Sequence, residues 1–510
     1  MAQKRRSFLK SLGITMLGAP MMVGGLSARE KKGATLAKDL SAIELRGRVM
    51  SGGKGLVGVA VTDGINVVLT DTKGRYELLS NATAEFVHIS IPRGYEFPNQ
   101  DGITQFFQKI AAKNGQFVAD FELKKLQQDD TKHNFIVWAD PQIRTAADAK
   151  LLNTDSAPDT AKLIRSYGSG VLFHGIGCGD LVWDKFELFE DYRQAIKQTG
   201  IPYFQVIGNH DMDLDARTDD YSAVTFKKQF GPTYYSYNRG EIHYVVLDDV
   251  FFIGKSKKYI GYITEQQFAW LEQDLAHVKP GATVVVSVHI PVNTGTQRRD
   301  NLKDEPIGGV VANRRELYRI LKPFKAHIMS GHTHFNEKMF DSENVIEHVH
   351  GTVCGAWWTG PICQDGTPGG YGVYEVNGAD ISWYHKATGK ERNHQFRVYP
   401  VGAVEDFSDE FSVNVWNWDP EWKVEWLEDG VVKGEMNQRT VNDPWSMQLH
   451  LGPAKPSIRK WVEPILTDHM FFAKPSAQAQ TVTIRVTDRF KQVYQKEVNL
   501  KTLKLGEQDS

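Results

Sequence analysis

Between residues 132 and 390, short apolar runs rich in β-branched residues alternate with stretches of helical periodicity. The apolar runs are Phe135–Trp138, Gly170–Phe173, Tyr203–Ile207, His243–Leu247, Thr283–Val288 and His327–Met329. Helical patterns lie between them at Ala157–Tyr167, Glu187–Thr199 and Glu265–Val278. Strands apolar on both faces, separated by helices, predict an α/β domain whose sheet strands are buried.

The periodicity changes to two on either side of this block. Residues 43–125 carry alternating runs at Ile43–Val49 and Gly58–Gly64, and two strands around a tight turn at Val67–Leu78. A small antiparallel sandwich is expected there, and Thr70-Asp71 with Gly74-Arg75-Tyr76 resembles transthyretin-like modules. The polar run Lys124–Asp130 reads as a linker. Residues 395–505 return to alternation, as in Phe411–Val415, Lys423–Trp426 and Thr481–Asp488. Six of the twelve tryptophans fall in this last part; a sandwich core accounts for buried ones and a carbohydrate-stacking face for exposed ones.

The N-terminal residues 1–28 interrupt this pattern. Lys4–Lys10 is basic with a twin arginine at Arg5-Arg6, an apolar stretch runs from Leu12 to Leu26, and Ser27-Ala28 offers small residues for cleavage. The segment resembles a twin-arginine leader, which implies a periplasmic or extracellular protein with no membrane span after its removal. The composition adds exclusions. In 510 residues the formal net charge is −2, so no basic excess points to nucleic acid. Three cysteines exclude a disulfide scaffold and allow at most one bridge, Cys354 with Cys363 being nearest in sequence.

The candidate chemistry sits where the central strands end. Five of them run into Ala139-Asp140-Pro141-Gln142, Gly177-Cys178-Gly179-Asp180, Gly208-Asn209-His210-Asp211, Val288-His289-Ile290-Pro291 and Ser330-Gly331-His332-Thr333-His334. Ligands bind at the carboxyl ends of strands in open α/β sheets, so these segments can converge. Carboxylates and imidazoles together suit divalent transition metals. Two such ions form a clamp for phosphate-ester hydrolysis. No Walker loop, complete dinucleotide fingerprint or Gly-x-Ser-x-Gly elbow is present.

The ordered set resembles the calcineurin-like metallophosphoesterase family, and the β regions on both sides resemble the flanking domains of its bacterial three-part members. Gly355–Pro361 and Asp365–Tyr371 carry that narrower match. The resemblance implies a four-layer αββα sandwich and two divalent or trivalent ions, Mn, Fe or Zn. It implies Asp140, Gln142 and His334 at the first ion, Asp180 bridging, and Asn209, His289 and His332 at the second. It places His210 beside the substrate as a catalytic residue, with Asp211 holding its orientation. Trp357 and Trp358 follow the last ligand segment, as substrate contacts or as a packed pair. The implied reaction is attack of a metal-bridged hydroxide on a phosphomonoester or phosphodiester, either a small molecule or an envelope-derived substrate. The alternative is a catalytically weak protein that binds glycan or envelope polymer. Arg298-Arg299, in the polar loop Asn293–Asp304 after His289, read as solvated surface charge or, alternatively, as a pair that attracts a phosphate.

One position departs from the family pattern. Gln142 stands where many members carry histidine, and an amide oxygen is a weaker transition-metal ligand than imidazole. Gln142→His is therefore expected to raise first-site metal occupancy. Metal content equal to or below the parent's, measured by elemental analysis, would show otherwise.

Overall fold

The computed structural model describes residues 42–254, 258–453 and 455–506. The leader read at residues 1–28 lies outside these. Two sheets form the centre. The first has seven strands, in the order Asp380–Ala387, Gly370–Asn377, Lys132–Trp138, Leu172–Cys178, Tyr203–Val206, Ile103–Thr104 and Asn99–Gln100. The second has six, Tyr235–Arg239, Ile242–Val246, Thr283–Ser287, Lys325–Ser330, Val345–Val349 and Glu337–Ser342.

The pleat explains why these strands are apolar on both faces. Val137, Ile176 and Phe204 point inward and share one core with Tyr244, Val246, Val285 and Met329 of the second sheet. Their neighbours Ile136, Trp138 and Tyr203 point outward, against the helices Ala157–Ser166 and Phe189–Thr199. Val245, Val284, Val286 and Ile328 do the same beneath Glu265–Leu275 and Arg314–Leu321. The result is helices, sheet, sheet, helices. The helix ends follow local chemistry. Thr145 and Asp148 form a reciprocal capping box, the Thr264 hydroxyl accepts from the Gln267 N–H, and Gly200 ends a helix at φ 76°.

The first helix differs from expectation. Ala146–Leu151 precedes Ala157–Ser166, and the two are joined by one wide π-helical turn, Leu152–Ser156. Pro158 has no N–H to return to the carbonyl four residues back, and widening the turn just before it accommodates that loss.

The N-terminal region also departs from the expected pattern. Val67–Leu69 and Arg75–Ser80 do not pair with each other as the tight turn suggested. The former pairs with Ala60–Thr62, the latter with Ile43–Ser51 in a different sheet. The Asp71 carboxylate accepts the Lys73 and Arg75 N–H groups and turns the chain from one sheet to the other. The region then enters the central sheet, where Ile103 pairs with Tyr203 in parallel. Phe97 and Phe106 pack on Phe204, and the Trp270 indole N–H donates to the Thr62 hydroxyl at 3.1 Å.

Two four-stranded antiparallel sheets form the C-terminal region, with Trp416, Trp422 and Trp426 buried within it. Trp461 lies outside that core, 52% exposed. Arg299 is not solvated as expected. Its side chain is 5% exposed and pairs with Glu337 and with Asp468 of the C-terminal region. The three cysteines are free and buried. Among the described residues, no helix is long and apolar enough to cross a membrane.

A core shared between the N-terminal region and the central sheet predicts joint unfolding. Phe106→Ala removes a 2%-exposed ring packed on Phe204 and Tyr235, and should cost about 3–5 kcal/mol. Calorimetry should show one transition displaced as a whole. A separate low-temperature transition would show instead that residues 43–125 unfold alone.

Candidate active site

All five strand ends lie on the carboxyl side of parallel strands. Three of them then turn sharply. Asp140 (φ 49°), Gln142 (37°), Asp180 (49°), His332 (67°) and His334 (60°) all occupy the left-handed region, and none is glycine. Each such residue costs about 1–2 kcal/mol, so five together mark a place where the surroundings over-determine the backbone. The turns swing the side chains inward from the strand ends.

Asp180, Asn209, His289 and His332 form one half of the cluster. His289 Nε2 lies 3.3 Å from Asp180 Oδ1, 3.1 Å from Asn209 Oδ1 and 3.2 Å from His332 Nδ1. One ligand atom each from Asp180, His289 and His332 fits within 4.8 Å of the others. Asp140, Gln142 and His334 form the other half. His334 Nε2 is 3.4 Å from Asp140 Oδ1, and Gln142 Nε2 donates to Asp180 Oδ2 at 2.5 Å. Asp180 therefore turns one oxygen to each half. The approach is close. A Cβ on Gly208 would come within 2.1 Å of the Asp180 backbone nitrogen, and one on Gly179 within 2.2 Å of His289 Nδ1.

The buried donor atoms fit metal ions. Asp140 Oδ1, Gln142 Oε1 and His334 Nε2 are buried without a hydrogen-bond partner. That is costly unless something else satisfies them. The imidazoles are also pre-oriented. His289 Nδ1 faces the Cys178 carbonyl at 3.0 Å and His332 Nε2 the Gly308 carbonyl at 2.9 Å, so the opposite nitrogen of each faces the cluster. The electrostatics agree. Burial pushes His289 and His334 down, but the facing carboxylates Asp180 and Asp140 outweigh it and raise both to about 10. Burial would push Asp180 up, yet His289 and His210 hold it well below the carboxylate range. Burial, with His289 beside it, lowers His332 to about 4. The carboxylates demand positive charge, and cations among oxygen and imidazole donors answer that demand.

Three family models match this chain. Residues 133–336 match the Calcineurin-like phosphoesterase model, residues 43–126 its N-terminal companion and residues 347–494 its C-terminal companion. The chain belongs to the calcineurin-like phosphoesterase family. It has the family's three-part form. It is 31% identical over 102 residues to Purple acid phosphatase 15 of Arabidopsis thaliana, a match spanning 18% of each chain. Two solved structures resemble it more loosely. A dimetal phosphatase from Danio rerio has a TM-score of 0.36 at 14% identity, covering 50% of this chain and 96% of its own. A purple acid phosphatase from yellow lupin has a TM-score of 0.36 at 14% identity, covering 64% and 67%.

Within this family member, the partner of His210 is not the expected one. Asp211 accepts the N–H groups of Gly208, Leu181 and Val182, and so ties two strand-end loops together. Asp184 takes the role instead, 2.7 Å from His210 Nδ1. Asp211 follows His210 directly, so its side chain is directed away into the loop. Asp184 reaches across from the segment after Asp180. The sequence signal for Asp184 was only an acidic residue four positions past the Gly-Asp pair. Burial depresses the His210 pKa, but Asp180 and Asp184 outweigh it and leave it raised.

The tryptophan pair divides. The Trp358 indole N–H donates to the Pro141 carbonyl at 2.8 Å and supports the Asp140 loop. Trp357 stacks on His334, with ring centroids 4.0 Å apart. Asp249 and Trp183 were not singled out in the sequence, whereas Trp461 is one of the six C-terminal tryptophans read as core or, where exposed, as a carbohydrate-stacking face. The buried Asp249 carboxylate accepts the His289 N–H at 3.0 Å and fixes that strand end. The other two line the site's approach.

The two carboxylates should separate in mutagenesis. Asp184→Asn is expected to lower kcat about 10- to 100-fold, with metal content and thermal midpoint near the parent's. Asp211→Asn weakens an acceptor shared by three backbone donors and should cost about 1–3 kcal/mol of stability. The reverse pattern, read from kinetics beside thermal unfolding, would return His210's support to Asp211.

Proposed function

We propose that this chain is an exported two-metal phosphoesterase that hydrolyses a phosphomonoester or phosphodiester. The observation that carries the reading is Asp180, whose two carboxylate oxygens each face one half of a seven-residue donor cluster. The twin-arginine pattern of residues 1–28 supports export, and the two small sheets at 43–122 support the transthyretin-like reading of the N-terminal region.

Asp140, Gln142, Asp180 and His334 would hold one ion and Asp180, Asn209, His289 and His332 the other. Ions of Mn, Fe or Zn held there would supply Lewis acidity toward the phosphoryl oxygens and lower the pKa of the attacking water. The protein does the rest. The strained strand ends fix the donors before substrate arrives, so no reorganisation is required during the reaction. His210 has Nδ1 committed to Asp184, which leaves Nε2 to carry a proton. Water oxygen attacks phosphorus and gives up a proton to solvent, the bond from phosphorus to the leaving oxygen breaks, the His210 Nε2 proton passes to that oxygen, and His210 is reprotonated from solvent. The products are the alcohol and a phosphate, or a phosphomonoester when the substrate is a diester.

The test compares chromogenic phosphomonoester and phosphodiester substrates after stripping the protein and reloading it with Mn, Zn or Fe. Metal-dependent turnover is expected, reduced by about 100-fold or more in Asp180→Ala. Bound metal without turnover of either ester, or turnover that survives Asp180→Ala, would overturn the reading.

A further inference from the structure

The Arg459–Trp461 segment of the C-terminal region reaches the mouth of the candidate site, and the family reading assigns it no role. Four ring contacts in sequence span the approach. Trp183 lies 5.5 Å from His210 by ring centroids, Trp461 lies 5.8 Å from Trp183, Trp357 lies 4.5 Å from Trp461, and Trp357 stacks 4.0 Å over His334. An arc of three indoles thus runs from the residue that would protonate the leaving group to a ligand of the first ion.

The indoles are not equivalent. The Arg144 and Arg459 guanidinium groups lie 4.7 and 5.5 Å from the Trp183 ring centre. Trp357 spends a face on His334. Trp461 meets Trp183 at 88° and Trp357 at 70°, both T-shaped contacts, and it remains 52% exposed. The surrounding chain is held in place. Arg459 donates to the Asp148 carboxylate at 2.6 Å and also to the Trp357 carbonyl. A large apolar ring clamped from both sides yet left toward water is arranged to meet a ligand.

We propose that Trp461 is a specificity-determining platform that selects phosphate esters whose leaving alcohol carries a flat aromatic ring. The proposal rests on the phosphoesterase reading and deepens it. The leaving oxygen has to lie within reach of His210 Nε2, so the rest of the alcohol extends past Trp183. Trp461 stands one indole further out. A ring joined through a sugar or short chain reaches it, with Trp183 and Trp357 on either side of Trp461. The shared chemistry is the flat ring, which a nucleobase or a simple aryl group can supply.

The experiment measures kcat/KM for phenethyl phosphate, a nucleoside 5′-monophosphate and glycerol phosphate, using the metal-loaded full-length parent, Trp461→Ala and Trp461→Phe. The parent should prefer ring-bearing esters, and the ratio of phenethyl to glycerol phosphate should fall about tenfold in Trp461→Ala, chiefly through KM. Trp461→Phe should retain most of the ratio and controls for folding. Phenethylphosphonate should quench parent indole emission more than propylphosphonate does, with the difference lost in Trp461→Ala. The two ring-bearing esters distinguish a nucleobase from a simple aryl source. An equal fall for glycerol phosphate, or no ring preference in the parent, overturns the platform while leaving the phosphoesterase intact. No turnover of any ester by the metal-loaded parent overturns the reading beneath it, and the platform with it.

Discussion

The geometry of the site depends on the carboxylate of Asp180. Its Oδ1 faces His289 and accepts the His210 N–H, its Oδ2 accepts from Gln142, and its backbone carbonyl accepts the Gln142 N–H. Three of the five strand-end segments are thereby referenced to one residue, itself at φ 49°. Gly208 has no side chain because there is no space for one against Asp180. A buried carboxylate of this kind is stable only if positive charge and donors surround it. The imidazoles, the backbone N–H groups and the cation requirement follow from that condition. The sheets supply the remaining constraint, since only parallel strands deliver five carboxyl ends to one edge.

Much of this was legible because it is local. The ligand-bearing segments directly follow apolar strands, and both strand and segment can be read within a dozen residues. The helices Ala157–Ser166, Phe189–Thr199 and Glu265–Leu275 were legible for the same reason, whereas Ala146–Leu151 with the wide turn before Pro158, Val224–Phe230 and Arg314–Leu321 were not. What the sequence concealed was direction and distance. Asp211 is adjacent to His210 and was expected to support it, yet adjacent residues in a tight loop diverge, and the support comes from Asp184. The turn at Asp71–Gly74 looks like a hairpin from its residues alone, but pairing is decided by partners outside the turn. Ile43–Ser51 captures one strand and Ala60–Thr62 the other.

The flanking regions show the same limit on a larger scale. Composition separates them from the central block, but the contacts do not respect that separation. Ile103 extends the central sheet, and Phe97 and Phe106 share a core with Phe204. On the other side, the Asp365 carboxylate accepts the Asn336 N–H and the Thr367 hydroxyl and lies 3.1 Å from His469 of the C-terminal region. Asn336 is two residues past His334. A ligand segment is thus continuous with the interface that holds the C-terminal sheets.

That continuity gives the C-terminal region a part in the site's chemistry. The candidate metal donors come from the central block alone. Near His210 the central block contributes the Trp183 indole, 5.5 Å away by ring centroids, and Trp357 over His334. The enclosing groups, Arg459 and Trp461, come from about 280 residues further along the chain, and the ion pair from Arg459 to Asp148 fixes them against the capped turn that follows the Gln142 loop. The candidate metal-donor cluster and the indole arc beside it are therefore encoded in different parts of the sequence. The strand-end residues can be read from their own neighbourhoods, whereas the enclosing indoles acquire meaning only when the fold places them beside His210 and His334.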